Sequence, residues 1–154
     1  MKISDFLSGG KIIAELKGNT KEDIINELIN LYADDEKIVD IEKVRKAVVD
    51  REKIMSTGVG KGFAIPHAKT NDVNDIIAAF GKLKEPVNFD SLDKEPVNLV
   101  MLLVAKENQV GIHIKLLSRI SRMINNEDFR EALINAETES EILSVFEEEE
   151  KKYI

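Results

Sequence analysis

Val97-Asn-Leu-Val-Met-Leu-Leu-Val-Ala105 is the stretch from which the rest of the chain can be read. Its near-continuous apolar character is what a strand covered on both faces shows, because a strand with one wet face alternates apolar and polar residues. Helices must then lie on both sides of a sheet in which this strand is central. The uninterrupted apolar part, Leu99 to Ala105, is far shorter than the ~20 residues a membrane-spanning helix needs, so it is a buried strand and not a span.

Working outward, Ile76-Ile-Ala-Ala-Phe-Gly-Lys-Leu83 reads as a second strand, and Pro86, Asn88 to Asp90 and Pro96 make an exposed connection between the two. Downstream, Ile114, Leu117, Ile120, Ser121 and Ile124 share one helical face that Leu116 and Met123 widen, and Asn125-Asn126 closes the helix. Two more helices follow, over Glu127 to Asn135 and from Glu139 into an acidic cluster, Glu147 to Glu150, expected to be a solvated helix end. Upstream, Ile3, Phe6 and Leu7 form a short opening turn ended by Gly9-Gly10, and Lys11 to Leu16 is a first strand. Asn19 or Thr20 caps a helix with Ile24, Ile25, Leu28, Ile29 and Leu31 at helical spacing and with Glu22 and Asp23 where the dipole favours acids. Asp40 caps another, with Ile41, Val44, Ala47 and Val48 on one face and Arg51 near its C-terminal end.

The 154 residues fit one domain of ordinary size. Hydrophobic residues at 43% and charged residues at 33% describe a globular chain with its own core. With no cysteine there is no disulfide, thiolate nucleophile or cysteine zinc site. A net charge of -7 argues against nonspecific nucleic-acid binding. The opening residues lack the apolar core of a signal peptide, so the expected location is cytoplasmic.

The chemistry concentrates before the second strand, in Arg51-Glu-Lys-Ile-Met-Ser-Thr-Gly-Val-Gly-Lys-Gly-Phe-Ala-Ile-Pro-His67-Ala. Glycines at alternate positions, Gly58, Gly60 and Gly62, leave backbone N–H groups that an anion can approach closely. Pro66 stiffens the approach to His67, one of only two histidines. A neutral imidazole is a competent nucleophile toward phosphorus, and phosphoryl transfer asks mainly for positioning and for donors around the transferred oxygens. The plainer alternative is a glycine-rich turn that ends in an incidental histidine. His113, beside Gly111, opens the long helix, where unpaired N–H groups disfavour a protonated ring; it can serve a phosphate, or simply rest on the surface. A metal site on the two histidines lacks a third ligand. The glycines match neither G-x-G-x-x-G nor G-x-x-x-x-G-K-[ST], so no ATP site is evident, no cofactor is implied, and a partner must bring any phosphate.

Ser56-Thr-Gly-Val-Gly-Lys-Gly-Phe-Ala-Ile-Pro-His67-Ala resembles the phosphorylation-site signature of the fructose/mannitol-type IIA domains of the bacterial phosphoenolpyruvate-dependent sugar phosphotransferase system. Gly111-Ile-His113-Ile-Lys-Leu-Leu-Ser-Arg-Ile is similar to the family's second histidine motif, Arg51 matches its arginine, and the resemblance spans nearly the whole chain. It implies an α/β fold, a mixed β-sheet flanked by α-helices on both faces. It also implies a relay: an HPr-type phosphocarrier donates to His67, His113 and Arg51 stabilise the phosphoryl group, the backbone of Gly58 to Gly62 shapes the site, and a IIB partner accepts on a cysteine. The nitrogen-regulatory branch, in which phosphorylation controls binding to regulatory proteins, is the other expectation, which the free-standing length favours. Phe63 and Ile112 are candidates for partner docking, with core packing as the plainer reading.

Overall fold

A computed structural model describes residues 2–153. Among these described residues six strands make one sheet: β1 (Ile12–Ile13), β2 (Gly58–Gly60), β3 (Phe63–Ala64), β4 (His67–Lys69), β5 (Ile77–Val87) and β6 (Val97–Ala105). The described residues also form six α-helices: α1 (Ile3–Leu7), α2 (Lys21–Ile29), α3 (Ile41–Ile54), α4 (Val110–Ile124), α5 (Glu127–Asn135) and α6 (Glu139–Glu150). The strand order is β1-β5-β6-β3-β2, with β4 also paired to β6. β5 and β6 are antiparallel, whereas β1 pairs parallel to β5, and β3 and β4 pair parallel to β6, so the sheet is mixed.

β6 is central, and its side chains alternate between two cores. Leu99, Met101, Leu103 and Ala105 join the core shared with α1, α4, α5 and α6, where Phe80, Phe129 and Phe146 meet edge to face. Val100, Leu102 and Val104 join the core under α2 and α3. Helices therefore cover both faces, as the apolar run requires.

Side-chain caps set the starts of α2, α3, α5 and α6. Thr20 accepts from Asp23 N–H, Asp40 from Glu42 and Lys43, Asn126 from Asp128, and Thr138 from Glu141. No helix among the described residues is long and apolar enough to cross a membrane.

Four expectations need correcting. The first strand holds only Ile12–Ile13, although Leu16 N–H still donates to the Lys82 carbonyl at 2.8 Å. β5 starts at Ile77 and runs past Leu83 to Val87; Pro86 is tolerated because the register with β6 shifts between Lys82 and Val87. Ile114 is 60% exposed, and the buried face of α4 runs through His113, Leu116, Ile120, Met123 and Ile124 instead. The acidic end of α6 is not fully solvated: Glu149 and Glu150 are buried. Glu150 accepts from the N–H groups of Ile3 and Ser4 at 2.5 and 2.7 Å, meeting the free donors at the start of α1.

Candidate active site

β3 and β4 are one strand with a gap. Phe63 pairs with Leu99 and His67 with Leu103, the same offset on both sides of Ile65-Pro66. Proline has no N–H to give the ladder, which breaks the run. Its carbonyl still accepts from Leu103 N–H at 3.0 Å, and Ile65 N–H turns instead to the Thr57 carbonyl at 3.0 Å. The Ile65 carbonyl lies 2.6 Å from His67 Nδ1. A carbonyl only accepts, so Nδ1 carries the proton and Nε2 of the neutral ring keeps its lone pair.

His113 enters from α4. Its N–H bonds to the Gln109 carbonyl, and the residue is only 3% exposed. The ring centroids of His67 and His113 are 5.7 Å apart, edge to face at 72°. His113 Nδ1 is buried with no hydrogen-bond partner among the described residues. Burial above all, with the charges of His67 and Lys69 behind it, lowers the His113 pKa from 6.5 to about 4. The His67 pKa is also lowered, first by burial; the Ile65 carbonyl and Glu52 oppose this, while Arg51 and Lys69 add to it. Both rings are therefore neutral at pH 7, the form a nucleophile needs.

Arg51, in the last turn of α3, donates through Nη1 to the Met55 carbonyl at 2.9 Å. With Ile54 it forms one wall of a cleft of about 480 Å³; His67 and Lys69 form another, and His113 and Ile114 a third. The structure thus brings Arg51, His67 and His113 together. Ile54 and Ile114, 81% and 60% exposed, make the rim apolar. Lys69 did not stand out in the sequence, although the strand period of two places it on the face of His67.

The three glycines are not among the cleft's walls. They form a tight hairpin between β2 and β3 pressed against the loop before β6. A Cβ on Gly58 would lie 2.1 Å from Ser91 Oγ, and Gly60 and Gly62 have φ of +95° and +78°. Lys61 N–H, between them, donates to Asp93 at 2.9 Å. The glycines expected to cradle an anion therefore stand away from the cleft, where close packing and left-handed backbone demand glycine. Phe63 is fully buried and Ile112 packs against the same core, so core packing, the plainer reading of both, holds.

Residues 5–149 match the family of the phosphoenolpyruvate-dependent sugar phosphotransferase system, EIIA 2, and the chain belongs to it. It is 35% identical over 151 residues to the fructose-specific EIIABC component of Bacillus subtilis, covering 98% of this chain but only 24% of that protein. The crystal structure of the nitrogen regulatory protein IIA-Ntr from Neisseria meningitidis superposes with a TM-score of 0.87 at 30% identity, covering 94% of this chain and 98% of the other. The mannitol IIA enzyme of Escherichia coli, solved in complex with phosphorylated IIB, shares the fold, with a TM-score of 0.78 at 22% identity over 92% of this chain and 96% of that one.

Proposed function

We propose that this chain is a cytoplasmic phosphohistidine carrier that takes a phosphoryl group on Nε2 of His67 and gives it up to a thiolate. The observation that carries this reading is the hydrogen bond from His67 Nδ1 to the Ile65 carbonyl, which leaves the Nε2 lone pair free in a ring bordering the cleft. In the first step that lone pair attacks the phosphohistidine of an HPr-type donor. The P–N bond of the donor breaks, its electron pair returns to the donor ring, and a P–Nε2 bond forms on His67. The His67 ring becomes cationic as the bond forms, and the carbonyl facing Nδ1–H stabilises that charge. In the second step a cysteine thiolate of a IIB partner attacks phosphorus, the P–Nε2 bond breaks, and the ring leaves neutral.

Arg51 offsets charge on the transferred oxygens, and His113, neutral and nearly buried, donates one hydrogen bond to them. The apolar rim at Ile54 and Ile114 suits brief docking by both partners. Sugar uptake is supported by the kinship with a fructose-specific EIIABC component. A nitrogen-regulatory role, in which the phosphorylated and free forms bind different proteins, is supported by the likeness to a IIA-Ntr structure covered over 98% of its length.

Intact-mass measurement after incubation with phosphoenolpyruvate, enzyme I and HPr tests the carrier reading. One acid-labile phosphoryl group should appear in the wild type and in no sample of His67→Ala. A wild type that gains nothing from a cognate donor overturns it.

A further inference from the structure

Glu52 follows Arg51 in α3, is only 6% exposed, and takes no part in the cleft's walls. A buried carboxylate is costly unless donors satisfy it, and this one is well supplied. Its oxygens lie 3.0 and 3.2 Å from Thr57 N, and the Thr57 hydroxyl donates to it as well. Lys21 Nζ sits 3.3 Å away and also reaches Asp90 at 3.2 Å. Glu52 thus pins Thr57 by both its backbone and its side chain.

Thr57 in turn is what holds the backbone ahead of His67. The Thr57 carbonyl accepts from Ile65 N–H at 3.0 Å, at the one place where β3 and β4 lose their ladder with β6. Pro66 restricts the dihedrals of Ile65, so fixing the Ile65 N–H also fixes the direction of the Ile65 carbonyl. That carbonyl is the acceptor for His67 Nδ1. A continuous set of polar contacts therefore runs from Lys21 through Glu52, Thr57 and Ile65 to the imidazole.

We infer that Glu52 is a positioning residue: through Thr57 and the Ile65 backbone it aims the carbonyl that keeps the His67 ring in its Nδ1–H form. Histidine free in water prefers the proton on Nε2, the form whose Nε2 has no lone pair to attack with. A loosened Ile65 carbonyl lets that form back in. The negative charge of Glu52 also acts on His67 directly, opposing the fall in its pKa. The tautomer preference follows from geometry alone; only its effect on transfer rests on the carrier reading.

The test is ¹⁵N NMR of the ring nitrogens in the full chain at pH 8, paired with the single-turnover rate of phosphoryl uptake from phosphorylated HPr. Wild type and Thr57→Ser, which keeps the N–H and the hydroxyl, should show His67 protonated on Nδ1 alone. Glu52→Gln offers an amide with donors of its own against the Thr57 N–H; it should show a mixture of both tautomers and an uptake rate about tenfold lower, as for modest misplacement of a reacting group. Thr57→Val, which removes one contact, should fall between them and decides the matter if Glu52→Gln does not fold. A folded Glu52→Gln, or in its place Thr57→Val, with His67 still wholly protonated on Nδ1 overturns the inference whatever its rate. If the tautomer responds but the wild type takes up no phosphoryl group, the positioning role stands and the carrier reading falls.

Discussion

The carbonyl oxygen of Ile65 lies 2.6 Å from Nδ1 of His67, two residues further along the chain and across a proline. This contact decides which nitrogen is free to react. The phosphorylated protein should therefore carry its phosphoryl group on Nε2, with Nδ1 still protonated. Coupling between ³¹P and ring ¹⁵N in a labelled sample reads the site directly; phosphorus coupled to Nδ1 would contradict the geometry.

Acid should weaken the fold through the two histidines. Their pKa values are lowered on folding, to about 4 for His113, so the unfolded chain binds protons that the folded chain does not. The stability they contribute is complete above the unfolded pKa of about 6.5 and is lost as pH falls from there toward 4. For His113 the difference corresponds to about 3 kcal/mol. Urea midpoints at pH 7.5 and 4.5 should draw apart less in His113→Phe than in the wild type. His67 keeps some of the dependence alive.

Glu150 joins residues almost the whole chain apart, and its loss should be felt far from the cleft. Glu150→Ala leaves the N–H groups of Ile3 and Ser4 buried without their acceptor, at a cost of about 3 kcal/mol. Urea unfolding should show that loss. Hydrogen exchange should rise first in α1, with His67 and its neighbours still protected.

Gly58→Ala should be destabilising by about 1–3 kcal/mol, because the new methyl group meets Ser91 on its backbone and side chain together. Pairing it with Ser91→Gly should return part of that loss, and a double-mutant cycle measures the coupling.

The elements that sequence made plain are those whose causes are local. The apolar run of β6 has the bounds read from it, Val97 and Ala105. Asp40 caps α3 as expected, and Thr20, one of two candidates, caps α2. What escaped depends on partners distant in the chain. Glu150 looks like any residue of an acidic helix end until α1 is laid against it, and Ile114 fits a core face until the cleft opens on its other side. β3 and β4 are short and interrupted by proline, so no run of side chains betrays them; only their common register on β6 makes them one strand. For the site, the motif named Arg51, His67 and His113, and the structure places all three at one cleft. It named the glycines as well, but their reason lies in Ser91 and Asp93, more than thirty residues away. Glu52 and Thr57 gave no signal, because a glutamate and a threonine five apart are ordinary until a fold buries them together.

The shared register of β3 and β4 on β6 also governs when the proposed acceptor histidine takes up its position during synthesis. Among the described residues the strand bearing His67 has no strand to pair with until Leu103 to Ala105 have been made, and His113 follows later still. A ribosome-bound fragment ending before β6 holds the histidine, the arginine and the glycine hairpin but cannot hold them in place. Phosphoryl acceptance should thus switch on abruptly with chain length, only after α4 has left the exit tunnel, and unfinished chains should draw nothing from the donor pool.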